Sequence, residues 1–325
     1  MKKLITKSVV LTLLLALNLD AKDIKLPDSI TIKNIAQNPE GIEYIKYDNT
    51  FLLSSLNAKP IVKVSANGEY KAFTHSEKYP LSTAGIQSDC KRNRLLVAGF
   101  NGNAIMDNDP KTKGISALRI YNIRTGALLE DINLSSLVPN ANAYFANDLT
   151  VDKDGNVYIT DWYANVIYKV DSDGKASLFW KNNTGKKGTP NGIDIDKDGN
   201  LLVSLVSVGK QGHYEGFGLV KIPTNNPKNA KLVDIKDTKF AGFDGLVVNK
   251  DGDIVGVSND QKGAGGNMLI KLSTKDGWNS AKVTKSKSIK ASTTVAVSKD
   301  NKNYVINQDF SDSNKTSWSI KRVEF

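Results

Sequence analysis

The sequence predicts an all-β fold, a six-bladed β-propeller of four-stranded antiparallel blades. Three observations carry that expectation. First, a line of the sequence recurs: NDLTVDKDGNVYITD begins at Asn147, and NGIDIDKDGNLLVSL begins 44 residues later at Asn191. Second, each copy alternates apolar and polar residues, turns at a Gly- or Asn-containing tetrapeptide and alternates again, which is the pattern of a β-hairpin. Third, no stretch sustains a 3.6-residue period, so a helical repeat is excluded.

The elements follow in chain order. Lys2, Lys3 and Lys7 precede a short apolar run, Ser8–Leu17, and Leu19-Asp20-Ala21 forms an acceptable cleavage site. Residues 1–21 are therefore expected to be an export signal, too short to span a bilayer. The mature chain, 22–325, is expected to be one propeller domain, periplasmic or secreted, without stable membrane insertion. No Cys follows the apolar run, so a lipid anchor is not expected. Next comes a solitary strand pattern, SITIKNI, at Ser29–Ile35. Six copies of the repeat follow, starting at Glu40, Ala84, Asn147, Asn191, Asp244 and Thr293, with spacings of 44, 63, 44, 53 and 49 residues. A third and fourth strand trail most copies, as in VIYKVD and ASLFW after Asn147, or PIVKVS and YKAFT after Glu40. Four strands per unit at this period is the pattern of a propeller blade. The sixth copy has only one further strand, SWSIKRVEF, before the chain stops. The N-terminal strand is expected to fill the outer place of blade six and close the ring, removing an exposed sheet edge.

Composition sets limits on function. The chain has 325 residues, 40% hydrophobic and 24% charged, ordinary globular values. The net charge of +10 falls to +7 without the three leader lysines. Its basic residues are dispersed, with small clusters at Lys186-Lys187 and along Lys282–Lys290, so a solvated surface is expected and not a nucleic-acid site. A monomer is expected. Cys90 is the only cysteine, which excludes an internal disulfide and a thiolate metal site; it is expected to pack within a strand. The DKDGN segments have Gly fourth and no closing Glu, so they are hairpin turns and not EF-hand loops. Gly174-Lys175, Gly185-Lys186 and Gly209-Lys210 lack the spacing of a phosphate-binding loop.

The residue that begins each copy is the informative one. In a propeller the first strand of every blade lies against the central channel, and its first residue faces the channel mouth. Around the ring this position reads Glu40, Ala84, Asn147, Asn191, Asp244 and Thr293. Glu40 and Asp244 offer carboxylates, while Asn147 and Asn191 offer neutral carbonyl oxygens. A hard cation such as Ca²⁺ takes six to eight such oxygens. Zinc is disfavoured, since thiolates and a histidine cluster are both lacking. The bland alternative is that Asn, Asp and Glu simply suit the start of a strand. Against it, Glu40, Asn191 and Asp244 each precede Gly, which lets backbone approach the axis.

Pro39-Glu40-Gly41, Asn147-Asp148, Pro190-Asn191-Gly192 and Asp244-Gly245 together resemble the SMP-30/gluconolactonase/LRE-like six-bladed propellers, related to diisopropylfluorophosphatase and paraoxonase. The resemblance spans essentially the whole mature chain. It implies that Glu40, Asn147, Asn191 and Asp244 hold Ca²⁺ or another oxygen-preferring divalent cation, with Asn147 also able to face substrate. It implies metal-assisted hydrolysis of a small-molecule lactone or related ester. Asp244 and Asp148 are the candidates for general base, and Asp148 could instead hold a neighbouring ligand in place. The chain departs from the lactonase pattern at Leu149, where Gly is usual, and has no counterpart of the paraoxonase histidines; His75 and His213 are its only two.

Loops between second and third strands should lie at the same mouth. They are 161–165, 207–217, 259–267 and 307–317, with a further long loop at 100–114. Trp162, Tyr163, His213 and Tyr214 are candidate walls of a substrate pocket. Two other readings stay open. One is a non-enzymatic propeller that binds a protein or small ligand around a structural calcium. The other is a carbon–nitrogen synthase of the strictosidine synthase type.

Overall fold

A strand buried on both faces needs apolar residues at consecutive positions, not alternate ones. The middle strands of this protein are built that way. In Phe51-Leu52-Leu53, Phe51 and Leu53 join one buried cluster and Leu52 joins another. The computed structural model describes residues 25–35, 38–101, 114–208, 214–236, 242–258, 267–307 and 316–325. The expected export signal and most of loops 100–114, 259–267 and 307–317 lie outside the described residues.

Six antiparallel sheets form the blades. Blade one holds β2 (Ile42–Ile45), β3 (Thr50–Leu53), β4 (Val62–Val64) and β5 (Tyr70–Ala72). Blade two holds β6 (Ser82–Asp89), β7 (Arg94–Asn101), β8 (Ile115–Asn122) and β9 (Leu128–Asn133). Blade three holds β10 (Ala146–Val151), β11 (Val157–Asp161), β12 (Val166–Val170) and β13 (Ala176–Lys181). Blade four holds β14 (Thr189–Ile195), β15 (Asn200–Val208), β16 (Tyr214–Pro223) and β17 (Lys231–Leu232). Blade five holds β19 (Leu246–Val248), β20 (Ile254–Ser258), β21 (Asn267–Ser273) and β22 (Ser280–Ile289). Blade six holds β23 (Val295–Val297), β24 (Asn303–Asn307), β25 (Trp318–Val323) and, as expected, the N-terminal β1 (Ser29–Ile32). β1 runs antiparallel to β25 with Ile30 opposite Ile320 and Ile32 opposite Trp318.

Two details depart from the expectation. The linker strand β18 (Asp234–Ile235) adds to β22 in parallel, so blade five gains a fifth strand. Cys90 sits in the turn just after β6, half-buried against the blade-one–blade-two cluster, and not within a strand. The turn geometry explains it: Asn93 takes φ 57° and closes the hairpin immediately after Cys90-Lys91-Arg92.

The core is a set of blade interfaces. One apolar cluster fills each of the six junctions between neighbouring blades. The outer strands carry the polar residues; β5 is exposed throughout, as are six of the ten residues of β22. Among the described residues no helix is long and apolar enough to cross a membrane.

The last junction depends on β1. Ile30 and Ile32 are buried against Phe51, Tyr304, Trp318 and Ile320. Ile30→Ala and Ile32→Ala should each cost about 2–5 kcal/mol in urea unfolding. Lys33→Ala, at an exposed neighbour, should change it by less than about 0.5 kcal/mol. Equal, small effects at all three positions would mean that β1 does not secure the ring.

Candidate axial metal centre

The six column residues all lie within two residues of the start of an innermost strand, and the aim of three of them depends on a backbone irregularity. In blades two, three and four the ladder shifts register between Thr83 and Ile86, between Ala146 and Leu149, and between Pro190 and Ile193. The skipped residues are the column residues Ala84, Asn147 and Asn191 with their followers. A bulge of this kind re-aims a side chain that regular pairing would direct into a blade interface. Glycine is needed at some of these followers. A Cβ on Gly192 would meet the Asp244 carbonyl, and one on Gly41 would meet the Ala84 carbonyl.

The result is a small axial cavity of about 30 Å³, lined by Glu40, Asn147, Asp148, Asn191, Asp244 and Thr294, among others. That volume suits one ion or one water. Hydrogen bonds tie its wall from blade to blade. Asn147 Nδ2 donates to Asn191 Oδ1, and Asn191 Nδ2 donates to Asp244 Oδ1 at 3.2 Å. Gly245 N donates to the Thr293 carbonyl at 2.8 Å, and Thr293 Oγ1 donates to the Glu40 carbonyl at 2.6 Å. The predicted column residues from blades three, four, five and one are thus brought together, and Thr293 links the last two.

Asp148 is held by backbone donors on both of its oxygens. Its Oδ1 accepts from Leu149 N at 2.9 Å and its Oδ2 from Ile193 N at 3.1 Å, so it clamps blade three to blade four. Thr160 supports it from beneath: its Oγ1 accepts from Asp148 N at 3.0 Å and donates to the Asn191 carbonyl at 2.8 Å.

The electrostatics are those of half-buried carboxylates that share one cavity wall. Burial pushes Glu40 well above the ordinary carboxylate range, and the Asp244 and Asp148 charges push it further. Burial raises Asp148 to about 7, against the pull of its two backbone N–H donors. Like charges at close quarters favour protonation, and a cation between them reverses that preference. Among the described residues no group of three or more His, Cys, Asp and Glu forms a cluster able to hold a metal. The donor set here is two carboxylates and two amides, all oxygen-bearing, which fits a hard divalent cation and not zinc.

A second polar tier lies three residues further along the inner strands, at Glu43, Gln87, Thr150 and Asp194. Asp194 accepts from Thr150 Oγ1 at 2.8 Å and from Val248 N at 2.6 Å, clamping blade four to blades three and five. Glu43 accepts from Ser88 N at 3.0 Å, clamping blade one to blade two. Sequence reading missed this tier and Thr160, and placed Thr293 in the column without its linking role. The tier was visible in the same alignment of the copies; the roles of Thr160 and Thr293 exist only across blades.

Of the predicted pocket wall, Trp162 and Tyr163 lie on the turn after β11, and neither lines the axial cavity. Asp161 is buried and accepts from Phe145 N and Ala164 N, both at 2.9 Å, which fixes the turn after β11. Trp162 and Tyr163 stack on that turn with ring centroids 5.9 Å apart and an interplanar angle of 8°. Both lie against Phe145, which packs on Phe100 at 4.0 Å. Tyr163 is 41% exposed, so an aromatic face remains open beside the mouth. Tyr214 begins β16, paired with Val208, and His213 lies outside the described residues.

Comparison with known proteins agrees on the architecture. The major allergen Mala s 1 of Malassezia sympodialis superposes with a TM-score of 0.70 at 18% identity, over 92% of this chain and 97% of that one. A gluconolactonase from Xanthomonas campestris gives 0.59 at 14% identity, over 91% and 89%. A calcium-binding protein, regucalcin, from Agrobacterium tumefaciens gives 0.58 at 17% identity, over 91% and 93%. The propeller type read from the sequence motifs is therefore represented among the structural neighbours, and at these identities the likeness establishes the fold. No protein-family profile matches the sequence, and no curated protein matches it.

The second tier gives a pH test. Burial raises the Glu43 carboxyl from 4.5 to about 7. A raised carboxyl pKa makes the folded state hold its proton longer, so stability is lost as pH climbs from 4.5 towards 7. Glu43→Gln removes that penalty and keeps an acceptor for Ser88. Urea unfolding with chelator present should show the variant gaining on the wild type between pH 4.5 and pH 8, by at most about 3 kcal/mol. A difference that does not change with pH would contradict the burial of this charge.

Proposed function

We propose that the protein is an exported, divalent-cation-dependent hydrolase that opens a small lactone or related ester at the axial site. The observation that carries this reading is the convergence of Glu40, Asp244 and Asp148 with two amides on one small cavity at the channel mouth. The Asp244 and Asp148 charges act against ionisation of Glu40, and a catalytic cation is the economical reason to hold them there. The fold shared with a gluconolactonase and with the calcium-binding regucalcin supports the same reading. Export rests on the basic start and apolar run of residues 1–21.

Glu40, Asn147, Asn191 and Asp244 would hold the cation, which supplies Lewis acidity toward a carbonyl oxygen. Asn191 is oriented by Asn147 on one side and Asp244 on the other. Asp148 is the general base in this proposal. Each of its oxygens accepts one backbone N–H, which fixes the carboxylate while leaving it on the cavity wall. A proton leaving water is accepted there without the side chain having to reorganise. Trp162 and Tyr163 present a flat apolar surface against which a ring-shaped substrate can lie.

The roles of the two aspartates separate experimentally. A panel of lactones and aryl esters would be assayed with calcium present, chelated and restored. Asp148→Asn should lose turnover by about 10²–10⁴-fold, the usual worth of a general base, while still binding calcium. Asp244→Asn should lose both. Calcium binding without turnover of any substrate would favour a non-enzymatic binding propeller, and full turnover by Asp148→Asn would remove it as the base.

A further inference from the structure

A β-bulge sets two residues of one strand against one residue of its partner, so a backbone N–H loses its place in the ladder and needs another acceptor. In blade three the pair Asn147-Asp148 faces Thr160, which stands between Ile159, opposite Leu149, and Asp161, opposite Ala146. In blade four Asn191-Gly192 faces Ser204, and in blade two Ala84-Gly85 faces Ala98. Blade one places Ser54 opposite Gly41, with Ser54 N donating to the Gly41 carbonyl at 3.0 Å. Blade five places Val257 there, with Asp244 N donating to its carbonyl at 2.8 Å. In blade six the residue is Ile306, next to Val305, which pairs with Val295. A second column therefore runs behind the first, along the second strand of each blade: Ser54, Ala98, Thr160, Ser204, Val257 and Ile306. All six are fully buried.

The hydroxyls of this column stand in blades one, three and four, and each holds backbone beside an oxygen-bearing residue of the first column. Ser54 Oγ accepts from Gly41 N at 2.7 Å, which fixes the peptide after Glu40. Thr160 Oγ1 accepts from Asp148 N at 3.0 Å, which fixes the peptide after Asn147. The Thr160 proton has two carbonyls in reach, Asn191 at 2.8 Å and Asp148 at 3.2 Å, and the nearer one belongs to the next blade. Ser204 Oγ accepts from Phe243 N at 2.8 Å, on the residue before Asp244 in the next blade. Three hydroxyls thus hold backbone at or next to all four predicted ligands, Glu40, Asn147, Asn191 and Asp244.

Blade two is the counterexample within the same ring. It has the same bulge, between Thr83 and Ile86, yet its column residue is Ala84 and the residue opposite is Ala98. The bulge therefore forms without a hydroxyl behind it. Hydroxyls are present where the residue in front carries a ligand oxygen. A hydroxyl in a dry sheet interior is costly unless it is hydrogen-bonded, so its place there marks a peptide that has to be held.

We propose that Ser54, Thr160 and Ser204 are positioning residues, whose buried hydroxyls fix the backbone of the four ligands and so set the cation affinity of the axial site. This role rests on the axial-cation reading proposed above. Groups that orient a ligand from behind are worth about 10–100-fold in metal affinity. Thr160 holds the peptides of two ligands and carries the largest share.

The test is calorimetric calcium titration of the chelated mature chain, with the melting temperature of the calcium-free protein read in parallel. Thr160→Val keeps the side-chain shape without the hydroxyl, and should weaken calcium binding at least about tenfold. Thr160→Ser restores the hydroxyl and should recover most of that loss. Ser54→Ala and Ser204→Ala should each weaken binding about three- to tenfold, the worth of one hydrogen bond. Thr74→Val is the control: Thr74 is also buried, its Oγ1 accepts from Ile61 N at 3.0 Å, and it does not line the axial cavity. That variant should melt at a lower temperature and bind calcium as the wild type does. Wild-type affinity in Thr160→Val would overturn the inference. So would equal weakening by Thr74→Val, which would reduce the effect to general stability. Should Thr160→Val not fold, Ser54→Ala and Ser204→Ala carry the same comparison against Thr74→Val. Absence of calcium and magnesium binding by the wild type would overturn the axial-cation reading itself, and this role with it; binding by the wild type that no hydroxyl variant weakens would overturn this role alone.

Discussion

The gathering of half-buried carboxylates and buried amides at the channel axis is the constraint around which this protein is organised. Glu40, Asp148 and Asp244 come from blades one, three and five; burial raises the Glu40 and Asp148 carboxyls, and the Asp244 charge raises both further. Nothing local in the chain would bring them together. They are held by the six apolar blade interfaces and by the closing strand β1, whose buried isoleucines seal the junction between blades six and one. A rigid ring can impose a crowded electrostatic arrangement on its axis because the large apolar term outweighs it.

The polar lining of the channel serves the same end. Asp148, Asp194 and Glu43 each accept a backbone N–H from the next blade. Those bonds cross the seams where the channel would otherwise open, and they satisfy groups that burial would leave costly. The two mouths then differ in chemistry. The upper one gathers oxygen donors, and the lower one carries an exposed lysine on the first turn of every blade.

Much of this was legible in the sequence because a propeller writes its three-dimensional columns as a repeat. Aligning the six copies gave the blade order, the closing role of Ser29–Ile32 and the set Glu40, Asn147, Asn191 and Asp244 at one mouth. The parts that were not legible are those decided by backbone geometry or by neighbours distant in sequence. The bulges at Asn147 and Asn191 leave no residue signature beyond the following Gly192, since Asp148 occupies the other site. Thr160 and Thr293 look like ordinary strand residues until the next blade is in place. Cys90, read as a strand residue, falls in the turn that Asn93 closes. β18 is two residues long, too short to carry a pattern, and pairs with β22 only after the blades are assembled.

Calcium titration of the chelated protein, followed both calorimetrically and by melting temperature, tests the central claim most directly. A cation that neutralises the axial carboxylates binds the folded state alone, so the melting temperature must rise with its concentration. The account predicts one calcium per chain with a matching rise in melting temperature, and a loss of both in Glu40→Gln. No binding heat and no shift at millimolar calcium or magnesium would show that the ring holds its carboxylates together without a metal, and would contradict the account.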